Sequence, residues 1–215
     1  MKALFISCSN MIQTDSGSSV SYKICQIAAA EMGKRVKNMT AAILELKKYA
    51  LYPCEGCGGC VSTNMCVAAD GFNRIYAEII ASDAVIFAVP HYAPVPAKLA
   101  ALLEKMEEIT YLKWGKDNSY KSEVFGKPAG VISHGGGGEP LLKSYKAMVN
   151  DTVANALDTI QMKIVPLDAE WDTGIALPVF GSSFGKNDIF PRQDYDWARI
   201  TRDISAYVEQ IVNIL

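Results

Sequence analysis

Ala84-Val85-Ile86-Phe87-Ala88-Val89-Pro90 decides the fold. It is an unbroken apolar run, rich in β-branched and aromatic residues and closed by a proline. Such a run reads as a strand buried on both faces, the position of an interior strand in a parallel sheet. Upstream, Phe72 to Ala81 places Phe72, Ile75, Ile79 and Ile80 at helical spacing, with Asp70 as a candidate N-cap. Downstream, Pro96 to Glu108 does the same with Leu99, Leu102, Leu103 and Met106, and Pro96 suits a first helical turn. The unit is helix, strand, helix. Two further continuous runs, Ala3 to Ile6 and Ala129 to Ile132, read as interior strands, and Ala41 to Leu46 and Met162 to Val165 as weaker ones. Helical patterns fill the gaps at Ser18 to Gly33, with Gly33 as a stop, at Leu141 to Leu157 and at Trp197 to Leu215. The alternation predicts an α/β fold, a doubly wound five-stranded parallel sheet.

The 215 residues suit one domain over 1–215, and no repeat, low-complexity segment or composition shift divides them. Half of the residues are hydrophobic and a fifth charged, the balance of a soluble globular protein. A formal net charge of -2, with no long run of one sign, gives no footprint for nucleic acid or an anionic membrane. The start MKALFISCSN does not read as a signal peptide, and no apolar run reaches the about 18 residues of a membrane span. The expected compartment is a reducing cytoplasm. There the six cysteines read as metal-binding or catalytic rather than as disulfides. Thr110 to Lys127 is polar and reads as a surface excursion. Glu170 to Arg192, rich in Gly, Pro and aromatics, reads as a cover for a site or an interface.

In open α/β sheets ligands bind beyond the carboxyl ends of the strands, where strand order reverses. Three strand ends here carry unusual loops. The first, Ser7 to Ser19, is dense in hydroxyls and flexible at Gly17, and leads into a helix. Ser9, Ser16, Gly17, Ser18 and Ser19 are candidates to cradle a phosphate with hydroxyls and backbone N–H groups. A solvated turn with a serine N-cap explains the same residues. No Walker A or Gly-x-Gly-x-x-Gly pattern is present, which favours a mononucleotide. The second loop begins Pro90, His91, Tyr92, Ala93. Prolines stiffen it, and Tyr92 offers a wall for a flat heteroaromatic ring. The third contains Ser133, Gly135, Gly136, Gly137 and Gly138. Four successive glycines cost conformational entropy and suit close approach by something large and flat; a flexible lid is the alternative. No catalytic residue is assigned.

Cys54, Cys57, Cys60 and Cys66 form a C-x2-C-x2-C-x5-C pattern on a Gly-rich stretch. Three thiolates on one tight wrap and a fourth nearby suit a [4Fe-4S] cluster. Zinc usually takes two separated pairs, and a redox dithiol needs only two cysteines; an empty cysteine-rich loop remains open as a fourth reading.

Taken together, these motifs resemble the NAD(P)H-dependent FMN reductase superfamily of flavodoxin-like proteins, and within it the iron-sulfur flavoproteins. Ser9 and Gly17-Ser18-Ser19 resemble its phosphate loop, Pro90 to Lys105 its Pro-x-Tyr loop and following helix, and Gly135 to Glu139 its Gly-rich loop. Cys8, Asn10 and Met11 replace the usual Gly, Pro and Arg, and Asp15 adds a negative charge. The resemblance implies FMN, a homodimer or homotetramer, and a cluster lying near a neighbouring subunit's flavin. The expected function is an FMN-dependent electron-transfer flavoprotein that exchanges single electrons with a ferredoxin-like carrier through the cluster. The alternative is a cluster-free oxidoreductase that takes electrons from a transiently stacked NAD(P)H and reduces flavin, quinone or another small-molecule acceptor. A scaffold that has lost its cofactor is a third reading, against which the intact Gly135–Gly138 run argues.

Overall fold

The computed structural model describes residues 1–11, 19–186, 188 and 191–215. Strand β1 (Lys2–Ser7) leads to helix α1 (Val20–Arg35), then to β2 (Thr40–Glu45), α2 (Phe72–Ile80), β3 (Ala84–Pro90), α3 (Ala97–Trp114) and β4 (Pro128–His134). Helices α4 (Leu142–Tyr145) and α5 (Asp151–Thr159) are joined by a π-helical turn, Lys146–Asn150. The short strands β5 (Lys163–Ile164), β6 (Ile175–Leu177), β7 (Gly181–Ser183) and β8 (Arg192–Asp194) precede α6 (Trp197–Ile214).

The main sheet has the order β2-β1-β3-β4-β5, parallel throughout, and β7 and β8 form a separate antiparallel ribbon. The three continuous apolar runs occupy the three central positions, where both faces are covered. One core lies under α2, α3 and α5 and includes Phe72, Ile79, Leu102 and Val153. The other lies under α1 and α6 and includes Ile24, Met32, Ile204 and Tyr207. β2, the edge strand, is exposed at its first two residues, which accounts for its weaker pattern.

The fifth position differs from the single strand expected over Met162 to Val165. β5 pairs only Lys163 and Ile164 with Pro128 and Ala129. The chain then leaves the sheet and returns as β6, which continues the same edge against Ile132, Ser133 and His134. Gly174 makes the return possible. Its φ is +118°, and a side chain there would run into the Val131 carbonyl. Between the two short strands the buried Tyr207 hydroxyl accepts from Val131 N–H at 3.1 Å and donates to Val165 O at 2.8 Å. A side chain thereby satisfies the backbone groups that the interrupted ladder leaves.

Two helices run past their expected ends. α1 passes Gly33 because Lys34 and Arg35 pair with the buried Glu31 one turn back. α3 runs on to Trp114, into the stretch read as a polar excursion. Asp70 does act on the start of α2. Its Oδ1 accepts from Phe72 N–H at 3.0 Å, while Gly71 holds the cap position itself. No helix among the described residues is long and apolar enough to cross a membrane.

Candidate functional site

Strand order reverses between β1 and β3, and a cavity of about 460 Å³ opens there beyond the carboxyl ends of β1, β3 and β4. That is the size range of small-molecule sites. The segment after β1 contributes Ser9, Asn10 and Met11, and Val20 stands at the start of α1. The second loop contributes Pro90, His91 and Tyr92, and the third His134, Gly135 and Gly136. The segment that includes β8 closes the cavity with Pro191, Gln193 and Tyr195. The wall is largely aromatic and apolar, with a few polar groups, as a flat heteroaromatic ligand requires.

The residues singled out in the sequence divide. Ser9, Pro90, His91, Tyr92, Gly135 and Gly136 line the cavity. Ser9 is buried, and its Oγ accepts from Met11 N–H at 3.2 Å. Ser19 caps α1, accepting from Tyr22 N–H at 3.3 Å, so its hydroxyl is committed to the helix start. Ser16, Gly17 and Ser18 lie outside the described residues. Ala93 is exposed and is not part of the wall. Ser133 is wholly buried and faces Ile175 O at 3.5 Å.

The glycine run serves the protein as much as a ligand. A side chain at Gly135 would come within 2.6 Å of the Tyr145 ring, and one at Gly137 within 2.6 Å of its hydroxyl. Gly137 N–H donates to that hydroxyl at 2.7 Å. Gly136 is crowded by the Gln193 amide, and Gly138 lines a neighbouring cavity with Val179 and Phe180. The loop is therefore held against Tyr145, not loose.

His134 is a wall residue that the sequence reading passed over. It ends β4 buried, with Nε2 2.7 Å from the Ser21 hydroxyl. Burial holds its pKa down at about 4, so the imidazole is neutral at pH 7. His134 O accepts from His91 N–H at 2.8 Å, and the His91 ring tilts over Tyr145 at 5.5 Å. These bonds tie the second and third loops into one wall. The fit to a flavin mononucleotide rests on an open cavity at the switch point with aromatic faces and a helix N-terminus at one end.

The four motif cysteines gather around a second cavity of about 280 Å³, lined also by Tyr52, Lys105 and Ile109. Gly56 and Gly58 take φ of +61° and +68°, which turns the chain sharply between the cysteines. Gly56 N–H points at Cys54 Sγ (3.5 Å) and Ala68 N–H at Cys66 Sγ (3.4 Å). Below them Lys105 Nζ lies 2.5 Å from Asp70 Oδ2, both side chains buried. Burial pushes the Cys60 thiol up. The sulfurs share a cavity but do not form a ligand set: among the described residues no group of three or more His, Cys, Asp or Glu could hold a metal ion. The expected cluster thus finds no preformed cage. Cys8 and Cys25 stand apart, buried in the core, where burial pushes both thiols up.

The sheet order, with a cavity at its switch point, defines a flavodoxin-like fold, and the family match over residues 1–169 makes the chain an FMN-dependent oxidoreductase. Residues 1–169 match the family described as NADPH-dependent FMN reductase, and the chain belongs to that family. Comparison with curated protein sequences gave no match. Among solved structures, an oxidoreductase from Corynebacterium diphtheriae is similar over 99% of this chain and 95% of its own, with 13% identity and a TM-score of 0.59. RosB, solved with bound 8-demethyl-8-formylriboflavin-5'-phosphate, is similar over 99% and 76%, with 13% identity and a TM-score of 0.61. An NADH:FMN oxidoreductase, EMOB in its apo form, is similar over 97% and 88%, with 14% identity and a TM-score of 0.54. At these identities the structures speak for the fold alone.

Proposed function

We propose that this chain is an NAD(P)H-dependent oxidoreductase that binds FMN in the cavity at the β1/β3 switch point and reduces a small acceptor such as a flavin or quinone. The observation that carries the reading is that one cavity joins the ends of β1, β3 and β4 with an aromatic, partly polar wall. FMN supplies the chemistry of two-electron exchange with a nicotinamide and with the acceptor. For a quinone the balance is NAD(P)H plus H⁺ plus quinone to NAD(P)⁺ plus hydroquinone. The chain's own residues bind and orient. Ser9 and the N–H groups at the start of α1 are proposed to take the phosphate, with Ser16, Gly17, Ser18 and Ser19 as further candidates from the sequence. Tyr92 and the Gly135–Gly136 backbone are proposed to take the ring. The neutral His134 keeps charge away from the cavity floor. We propose further that residues 1–215 act as one unit, since β6 and α6 complete the sheet edge and one core. We also propose that the chain works as a homodimer or homotetramer.

Anaerobic titration of the apoprotein with FMN, followed by NADH or NADPH oxidation with a quinone acceptor, tests the reading. Saturable binding at one FMN per chain and quinone-dependent turnover are expected. No flavin binding would overturn it.

One observation favours a second reading, in which a [4Fe-4S] cluster at Cys54, Cys57, Cys60 and Cys66 exchanges electrons with a ferredoxin-like carrier. All four cysteines line a single cavity. A loop organised by its metal need not present a finished cage without it. Uptake of about four irons per chain on anaerobic reconstitution, lost in Cys57→Ser, would favour this reading. No uptake would leave the cluster-free reductase.

A further inference from the structure

Cys60 and Cys66 stand at the two ends of a tight reversal in the connection between β2 and α2. Cys60 O accepts from Thr63 N–H at 3.3 Å and from Asn64 N–H at 2.9 Å, which winds the chain through one turn. Asn64 then takes a φ of +59°, the left-handed step that ends such a turn and sends the chain back. The returning segment runs beside the outgoing one, since a Cβ built at Gly59 would lie 2.7 Å from Val67 Cγ1. With residues 59 and 67 in contact, one step inward puts Cys60 across from Cys66. Facing positions at the neck of a reversal have the separation that a disulfide spans. Both cysteines are half-buried, pack on the core under α2 and α3, and line the same cavity.

The two partners are held by different elements. Cys66 is fastened to α2: its N–H donates to Asn73 Oδ1 at 2.8 Å, and its O accepts from Asn73 Nδ2 at 2.8 Å. Its Sγ accepts from Ala68 N–H at 3.4 Å, a contact that favours negative charge on sulfur. Cys60 ends the Gly-rich wrap that turns at Gly56 and Gly58. Cys54 is held elsewhere, with its N–H on Glu104 of α3 and its Sγ on Gly56 N–H.

We infer that Cys60 and Cys66 form a redox-active dithiol that a hydroperoxide closes to a disulfide, fastening the Gly-rich wrap to α2. The inference needs neither the flavin nor a metal, so it stands or falls apart from both readings above. The Cys66 thiolate attacks one peroxide oxygen. The O–O bond breaks, the leaving hydroxide takes a proton to become water, and Cys66 becomes a sulfenic acid. Cys60 then attacks that sulfur, the S–O bond breaks and a second water leaves. Two thiols and one hydrogen peroxide thus give one disulfide and two waters, with two electrons passing from sulfur to oxygen. A dithiol reductant reverses the step by thiol–disulfide exchange. Closure removes two of the cavity's four thiols.

The test reduces the full chain with dithiothreitol in the presence of EDTA, removes both anaerobically, and adds a small excess of hydrogen peroxide. Unfolding in iodoacetamide and intact mass then count the thiols. The oxidised chain should carry two fewer alkyl groups than the reduced one, and dithiothreitol before alkylation should restore them. Two reciprocal double variants locate the pair. Cys54→Ser with Cys57→Ser should still lose two alkylatable thiols, whereas Cys60→Ser with Cys66→Ser should keep all of its own over the same time. Adding Cys60→Ser to the first variant removes the resolving thiol, so a sulfenic acid should build up at Cys66 and be trapped by dimedone. Equal oxidation of the two double variants, loss confined to the one that retains Cys54 and Cys57, or no loss in the unsubstituted chain overturns the inference.

Discussion

The switch-point cavity hangs directly on strand ends, whereas the cysteine cavity hangs on the long connection between β2 and α2. Around the first, Ser9, Pro90 and His134 are buried and sit at or just beyond the last ladder positions of β1, β3 and β4. Their backbone cannot move without breaking sheet hydrogen bonds. Around the second, the cysteines are held by single hydrogen bonds, one of them reaching α3: Cys54 N–H to Glu104 Oε2, Cys66 N–H to Asn73 Oδ1, and two N–H groups aimed at sulfur. The one strong fixture is the buried Lys105–Asp70 pair beneath them. The difference is between a cavity held by the ends of the sheet and one held by single side-chain contacts along a connection.

The largest effect should come from breaking the fixture. Asp70→Ala strips the Lys105 ammonium of its partner and also removes the acceptor for Tyr52 and Phe72 N–H. A loss of about 3–5 kcal/mol in denaturant unfolding is expected, much of it recovered when Lys105→Met is added. FMN affinity of the folded protein should hold. If it falls in parallel, the two regions are one unit and the contrast breaks.

His134 tests the sheet-built site. Its pKa is about 4 in the fold against an ordinary 6.5, so the unfolded chain binds more protons between those values. Stability should therefore fall as pH drops from 6.5 to about 4, by up to about 1.4 kcal/mol per pH unit, and level off below. His134→Asn should flatten that slope in pH-dependent thermal unfolding. An unchanged slope would place the dependence elsewhere.

Gly137→Val sharpens the comparison further. The new side chain meets Leu141 and the Tyr145 hydroxyl. A cost of about 1–3 kcal/mol is expected, together with weaker FMN binding, because the wall shifts as one piece. Full flavin affinity in this variant would mean that the glycine loop is merely packed, not part of the site.

The smallest effect belongs to the loop. Cys57 is exposed, so Cys57→Ser in the metal-free protein should alter stability by about 0.5 kcal/mol or less and leave FMN binding intact. A larger loss of stability, read by the same denaturant unfolding, would show that the cysteine loop is already locked.

Much of the frame was legible in the chain. β1, β3 and β4 are buried on both faces, so their apolar runs are continuous, and the loops that follow them had to carry any site at the switch point. β5 and β6 were harder. Two residues make no pattern, and the return at Gly174 depends on the lack of a side chain beside the Val131 carbonyl, a neighbour far away in the chain. The glycine run was legible as a place of close approach, but what approaches Gly135 and Gly137 is Tyr145. The cysteine spacing was legible as a cluster motif, yet spacing alone brings sulfurs near one another and does not arrange them around a metal.

By itself, then, the sequence determined the α/β alternation, the three interior strands and the loops at their carboxyl ends, because hydrophobic periodicity and turn chemistry act over a few neighbouring residues. Only the tertiary structure decided that Gln193 and Tyr195 close the wall of the switch-point cavity, that Ser21 meets His134, and that Lys105 sits on Asp70 beneath the cysteines. Each of these contacts joins residues far apart in the chain. Each depends on strand order and helix placement, which no local pattern encodes.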